Sequence, residues 1–147
     1  MRALLNHMIG GLAMLTAAAE GAKATMPEGD QLGSDPGQRY DERRSALLAA
    51  VRHPGALDRD WEMPFGATPA QVMAGIAFME HLVHAWDIAK ATGQDTTLPA
   101  DLVNECKQVV TPLEATLRAS GACGPPVQLS GPASEQDELI AFMGRNP

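Results

Sequence analysis

Three ionisable side chains lie at helical spacing inside a largely apolar segment, residues 69–93, which reads PAQVMAGIAFMEHLVHAWDIAKATG. Glu80, His84 and Asp87 are four and three residues apart, so an α-helix places them on one stripe. An unpaired charge among apolar neighbours is energetically costly. We therefore expect each group to have a partner, and the alternatives are a metal ion, an arginine or one another.

Glu80 and His84 have the spacing that lets one helix supply two ligands to one metal ion. Side chains four residues apart lie side by side, and zinc and similar ions accept both imidazole nitrogen and carboxylate oxygen. The same spacing also suits a simple Glu–His hydrogen bond without any metal. Glu-x-x-x-His alone does not discriminate between these two interpretations.

His7 lies in a second apolar segment, residues 1–20, which is also predicted to be a helix. His7 lies off the apolar stripe of this segment, on a second face with Ala3, Gly10, Gly11 and Met14. The stripe itself is formed by Leu4, Leu5, Met8, Ile9, Leu12 and Leu15. Helical bundles build metal sites from side chains on facing helices. His7, Glu80 and His84 would together form a two-histidine, one-carboxylate ligand set, with coordination positions left open for water or substrate.

The other ionisable residues near this stripe are given supporting roles. Asp87 is predicted to orient a ligand rather than to be one, or to pair with an arginine such as Arg2 or Arg118. His81 lies about 100° around the helix from Glu80 and is expected to be half-exposed, with support of a ligand as the alternative.

The remaining histidine and the two cysteines are not expected to do chemistry. His53 precedes Pro54 at a helix end, where the helix dipole explains a histidine. Cys106 is expected in the core, and Cys123 in an accessible loop without a basic or histidine neighbour to activate it. Two cysteines do not form a disulfide framework, so we expect a cytoplasmic protein.

The elements that position these residues are predicted to be helices. Besides residues 1–20 and 69–93, we expect helices over residues 39–52, over residues 97–120 with a break at Pro112, and from Ser134 through Arg145. Residues 21–38 and 54–68 are loops that are candidates to shape a pocket, and Gly10-Gly11 favours helix packing. We find no alternating run long enough for a strand, so the expected fold is all-α, a helical bundle in a single domain over residues 1–147.

Composition argues against several classes of partner. The net charge is −7 and no Lys/Arg cluster is present, which argues against binding to nucleic acid or to an anionic membrane surface. No stretch of about 18 apolar residues occurs, as a transmembrane helix would need. Asn6 and His7 interrupt the first apolar segment early, so we do not expect a signal peptide.

Three segments together resemble a known family. They are RALLNHMIGG near the start, MEHLVHAWDIAKATGQ preceded by PFGATPA, and VQLSGPASEQDELIAFMGRNP at the end. They resemble an actinobacterial metal-binding family related to the N-terminal domain of mycothiol-dependent maleylpyruvate isomerase, within the DinB/YfiT-like superfamily. The resemblance implies a four-helix bundle that holds a divalent metal, zinc or nickel, through His7, Glu80 and His84.

The sequence departs from that family's pattern at both ends. The family usually has a further helix before its first histidine segment, whereas this sequence starts at Met1 inside the pattern. The alternatives are a truncated or misassigned start, or a homodimer in which a second subunit covers the gap. The isomerases also have a C-terminal domain that contributes to catalysis, and this sequence stops at Pro147.

Two classes of function therefore stay open. In the first, the metal binds a low-molecular-weight thiol, acidifies it to the thiolate and presents it to an electrophile, as in a thiol-dependent transferase or isomerase. In the second, the protein is not a catalyst, its metal is structural or vestigial, and the bundle is an interaction module.

Overall fold

The computed structural model describes residues 1–147, and the chain is mostly helical, as the sequence predicts. It contains six α-helices, one short 3-10 helix and one two-stranded sheet. In chain order the elements are α1 (Arg2–Ala19), α2 (Pro36–Val51), β1 (Asp60–Met63), β2 (Gly66–Pro69), α3 (Ala70–Thr92), α4 (Ala100–Val110), the 3-10 helix (Thr111–Leu113), α5 (Glu114–Ala119) and α6 (Glu135–Phe142). None of these helices combines the length and the apolar character that crossing a bilayer requires.

The β-hairpin contradicts the expectation that the chain has no strands. β1 and β2 pair antiparallel, with Asp60 opposite Pro69 and Met63 opposite Gly66. Along β1, Trp61 and Met63 are buried while their neighbours are exposed, but four residues of alternation are too few to recognise in a sequence. Pro69 therefore ends a strand, and α3 begins one residue later than the predicted helix of residues 69–93.

The chain divides into two compact units, Met1–Ala74 and Gly75–Pro147, and the single domain stays a prediction. In the first unit, α1 contacts both α2 and β1. Its largest fully buried side chains are Ile9, Leu12, Leu32 and Trp61.

α2 begins at Pro36 rather than at the predicted Arg39, because Asp35 accepts a hydrogen bond from the Gln38 N–H and so caps the helix.

The loop after α1 returns along the same helix. The Asn6 side chain donates to the Gly29 carbonyl and accepts from the Gln31 N–H at 2.6 Å. A Cβ on Gly10 would lie 3.0 Å from the Met26 sulfur of this loop, whereas at Gly11 nothing lies within 4 Å. The glycine pair therefore accommodates a loop at Gly10, and the prediction of helix packing there is wrong.

The second unit has a continuous apolar core. Its buried members are Met79, Leu82, Val83, Val103, Cys106, Val110, Leu117, Cys123, Leu139 and Met143. Both cysteines are free thiols, and Cys106 is buried as predicted. Cys123 was expected to be accessible but is buried, because the chain after α5 turns back and the Cys123 N–H donates to the Leu117 carbonyl.

Pro112 breaks the fourth predicted helix where the sequence indicates. α4 ends at Val110, a 3-10 turn covers Thr111–Leu113, and α5 begins at Glu114. Proline cannot donate a helical hydrogen bond and its ring crowds the preceding turn, which is sufficient cause for the break.

α6 has a defined start and a defined end. Ser134 and Asp137 form a reciprocal capping box at its N-terminus. After Phe142, the Gly144 N–H donates to the Ala141 carbonyl and the Arg145 N–H to the Ile140 carbonyl, both at 3.0 Å. This is a Schellman motif, with Gly144 at φ +80°. The helix therefore ends before Arg145, earlier than predicted.

Gly144→Ala should destabilise the second unit. An alanine at this left-handed φ costs about 1–2 kcal/mol, and its Cβ would also lie 3.1 Å from the Gly124 carbonyl oxygen, a backbone atom. Urea unfolding followed by circular dichroism measures the loss. Gly131→Ala is the matched control, because nothing lies within 4 Å of a Cβ there; equal stability of the two variants would contradict the prediction.

The buried thiol of Cys106 predicts a stability that falls at alkaline pH. Burial raises the pKa of Cys106 from 9.0 to about 11, so between these pH values the unfolded chain loses the thiol proton while the folded chain keeps it. Unfolding then becomes easier by about 1.4 kcal/mol per pH unit from this one group.

The measurement is the free energy of urea unfolding at pH 8, 9 and 10 for wild type and Cys106→Ala. Other groups that titrate are common to both proteins. The stability advantage of wild type should shrink as the pH rises above 9, and an advantage that stays constant would contradict this account.

Candidate metal centre

α3 carries its ionisable residues among buried apolar ones. Met79, Leu82, Val83 and Trp86 on this helix are all buried. The side chains of His84 and Asp87 are only 16% and 21% exposed. The cost of desolvating polar groups here must be offset by specific interactions, as the sequence predicts.

His7, Glu80 and His84 come together in space. Each offers one ligand atom, and these atoms all lie within 4.8 Å of one another. His7 is exposed on α1, whereas Glu80 and His84 are half-buried on α3. Ligand atoms around one zinc ion lie roughly 3–3.5 Å apart for metal–ligand distances of about 2.0–2.2 Å. The three residues form a cluster that could hold a metal ion once the donor atoms draw closer together.

Asp87 determines which nitrogen His84 can offer. The Nδ1 atom of His84 lies 2.9 Å from Oδ2 of Asp87. An ionised carboxylate can only accept a hydrogen bond, so Nδ1 must carry the proton. In the neutral ring the lone pair is then on Nε2, which is the arrangement found where a carboxylate supports a metal-binding histidine.

The carboxyl group of Asp87 is ionised at neutral pH. Burial alone would raise its pKa, but hydrogen bonds from His84 and Arg145, together with their charges, outweigh burial and lower the pKa to about 2. Asp87 therefore holds the His84 ring through a hydrogen bond, and its role in orienting a metal ligand stays a prediction.

The arginine that pairs with Asp87 is Arg145. The two partners suggested from the sequence, Arg2 and Arg118, are wrong. Arg145 donates from Nη2 to Oδ2 at 2.9 Å and from Nε to Oδ1 at 3.2 Å. Arg2 instead pairs with Asp30, and Arg118 with Glu114. Sequence reasoning missed Arg145, which is 58 residues from Asp87. The sequence does indicate that a buried carboxylate needs a cation. It does not indicate which arginine or lysine of the chain supplies that cation.

His81 and His53 are not part of the cluster. His81 is half-buried, and its Nδ1 lies 2.7 Å from the Ala77 carbonyl oxygen on the same helix. His53 is exposed just after α2. Both positions agree with the expectations from the sequence, which were half-exposure for His81 and a helix end for His53.

The two long loops do shape cavities, but away from the ligand cluster. Residues of the 54–68 loop line a cavity of about 700 Å³ together with α2 and the end of α1. Residues 32–35 line a cleft of about 210 Å³ with the start of α2. Neither cavity includes His7, Glu80 or His84 among its lining residues.

Two curated relatives match nearly the whole sequence. They are the uncharacterized proteins Rv0738 and MT0763 of Mycobacterium tuberculosis, from strains ATCC 25618 / H37Rv and CDC 1551 / Oshkosh. Each is 32% identical over 162 aligned positions, which cover 97% of this chain and 77% of the relative. The chain belongs to their family.

Membership of this family does not by itself indicate an activity. No protein-family model matches the chain, and no solved structure matches it either.

Replacing Asp87 should destabilise the metal-free protein. Asp87→Asn keeps the shape but removes the negative charge, which leaves the half-buried guanidinium of Arg145 without its ionic partner. We expect a loss of about 1–3 kcal/mol in the free energy of unfolding, as for a charged group that loses its hydrogen-bond partner.

Urea unfolding in the presence of a chelator measures this loss. Asp58→Asn, at an exposed loop position, is the matched control and should change stability little. If both variants unfold at the same urea concentration, the ion pair does not stabilise the fold.

Proposed function

We propose that this protein binds one divalent metal ion through His7, Glu80 and His84, in a DinB-like helical bundle. Zinc is the expected ion and nickel the alternative. The observation that carries the proposal is the convergence of the three donor atoms within 4.8 Å. The carboxylate of Asp87 behind His84 supports it, because metal-binding histidines are commonly held in this way.

The donor types favour an ion of the zinc group. Two imidazole nitrogens and one carboxylate oxygen form a ligand set that zinc uses in catalytic sites. The cluster contains no thiolate, which argues against ions that select soft sulfur ligands. Three protein ligands also leave coordination positions for a small molecule.

We further propose that this small molecule is a low-molecular-weight thiol of the mycothiol type, which the protein activates for transfer or isomerisation in the cytoplasm. A bound divalent ion of this kind lowers the pKa of a coordinated thiol or water molecule. Two features of the chain's own residues favour binding of such a thiol. Asp87 holds the proton on Nδ1 of His84, and His7 is exposed, so a solute can approach the cluster.

Metal content of ligand variants tests the first part of the proposal. Protein loaded with zinc and then dialysed should hold one ion per chain in wild type. His84→Ala and His7→Ala should hold almost none, since loss of a ligand should cost more than the roughly 10–100-fold in affinity that loss of a supporting residue costs.

His81→Ala is the matched control, because His81 lies on the same helix outside the cluster and should leave the zinc content unchanged. Elemental analysis beside a circular dichroism spectrum separates metal loss from unfolding. A wild-type protein that holds no zinc, or a folded His84→Ala that holds as much as wild type, would contradict metal binding by these residues.

Thiol binding is a separate measurement. Cobalt-substituted protein is titrated with a low-molecular-weight thiol while the absorption of the cobalt–thiolate bond is followed. Saturable absorption supports thiol activation. Metal binding without any thiol signal would instead favour the alternative, a non-catalytic metal-binding or interaction protein.

A further inference from the structure

Arg145 contacts Asp87 with a two-pronged hydrogen bond. Nε and Nη2 donate to the two different carboxylate oxygens, at 3.2 Å and 2.9 Å. Oδ2 of Asp87 also accepts from His84, so one oxygen joins the arginine and the histidine. The three side chains are each between 16% and 23% exposed, so these charge-assisted bonds are partly shielded from water.

We propose that Arg145 is a positioning residue for the metal centre, which fixes the tautomer and orientation of His84 through Asp87. The proposal rests on the function proposed above, because His84 matters as a ligand only if an ion binds there. It adds that the C-terminal residues 143–147 are part of the centre, although none of them offers a ligand.

The reason lies in the freedom of the Asp87 side chain. The terminal torsion of an aspartate has a broad energy minimum, so one hydrogen bond to His84 would hold the carboxylate loosely. Bonds from Arg145 to both oxygens fix the plane of the carboxylate. Oδ2 is thereby held where it can accept a hydrogen bond from Nδ1–H, which leaves Nε2 of the neutral ring as the atom offered to a metal ion.

The backbone places Arg145 at this position with little freedom. Gly144 turns the chain at φ +80°, and the Arg145 N–H is bonded to the Ile140 carbonyl. The Arg145 side chain is also held by a hydrogen bond that its Nη1 donates to the Met143 carbonyl at 2.7 Å. A guanidinium fixed in this way can position Asp87 at little further cost in side-chain entropy.

The end of the chain is also held to α3 by a contact that does not involve Asp87. Lys90 donates to the Asn146 carbonyl at 2.7 Å. This contact offers a control, because removing it loosens the C-terminal residues but leaves the bonds between Arg145 and Asp87 in place. Lys90→Gln therefore separates general docking of the C-terminus from the specific action of Arg145.

The first arm of the test uses metal-free protein. The ¹⁵N resonances of histidine-labelled protein at pH 8 report which ring nitrogen carries the proton. In wild type and Lys90→Gln, we expect His84 to be protonated on Nδ1. In Arg145→Gln, we expect a mixture with the Nε2-protonated form, because the carboxylate is no longer held in place.

The second arm measures zinc affinity by competition with a coloured chelator. Arg145→Gln should bind zinc about 10–100-fold more weakly than wild type, as expected when a supporting residue is lost. Arg145→Lys should also bind more weakly, because an ammonium group cannot bond both carboxylate oxygens in a fixed fork. Lys90→Gln should bind as tightly as wild type.

The outcomes separate the two proposals. If Arg145→Gln and Arg145→Lys keep both the Nδ1 tautomer and wild-type affinity, the positioning role is overturned and metal binding stands. If wild type binds no zinc, the proposed function fails, and the metal-free arm alone decides whether Arg145 fixes the His84 ring. If Arg145→Gln does not fold, Arg145→Lys provides the comparison, with circular dichroism as the check.

Discussion

The second unit depends on how the carboxylate of Asp87 is accommodated among apolar residues of α3. A carboxylate at this depth is unfavourable unless it is bonded to donors that compensate for the lost water. Asp87 receives three such bonds, two from Arg145 and one from His84. These bonds outweigh the cost of burial. The carboxyl group therefore stays ionised, with its pKa lowered to about 2. The same charge then determines where the proton of His84 resides.

The turn after α6 follows from the same requirement. A cation must reach Asp87 from outside α3, and it is supplied by the residue after a glycine that can adopt φ +80°. A Cβ at Gly144 would lie 3.1 Å from the Gly124 carbonyl oxygen, so a larger residue would crowd that backbone. Arg118 also stabilises this turn, since it donates to both the Gly124 and Phe142 carbonyls. One turn thus provides donors for the backbone carbonyls and a cation for the buried carboxylate of Asp87.

Much of the helical architecture could be predicted from the sequence, because its signals are local. The apolar period of residues 1–20, the glycine after α3 and the break at Pro112 each act within a turn or two of helix. Glu80 and His84 could be predicted as members of the cluster from chemistry, since both are polar groups on an apolar helix. The hairpin was missed because each of its strands has only four residues. Arg145 and the burial of Cys123 were missed because both depend on contacts that no local pattern encodes.

The exposure of the three donors bears on what a bound ion would do. Structural zinc sites are usually closed by four protein ligands, whereas catalytic sites keep one position for water or substrate. Here the cluster offers three donors, and one of them, His7, is exposed. Asn6, the residue before it, is bonded to both Gly29 and Gln31, so the turn of α1 that presents His7 is braced by the following loop. For the proposed ion, three protein donors, one of them exposed, favour exchange of a small ligand over a closed structural site.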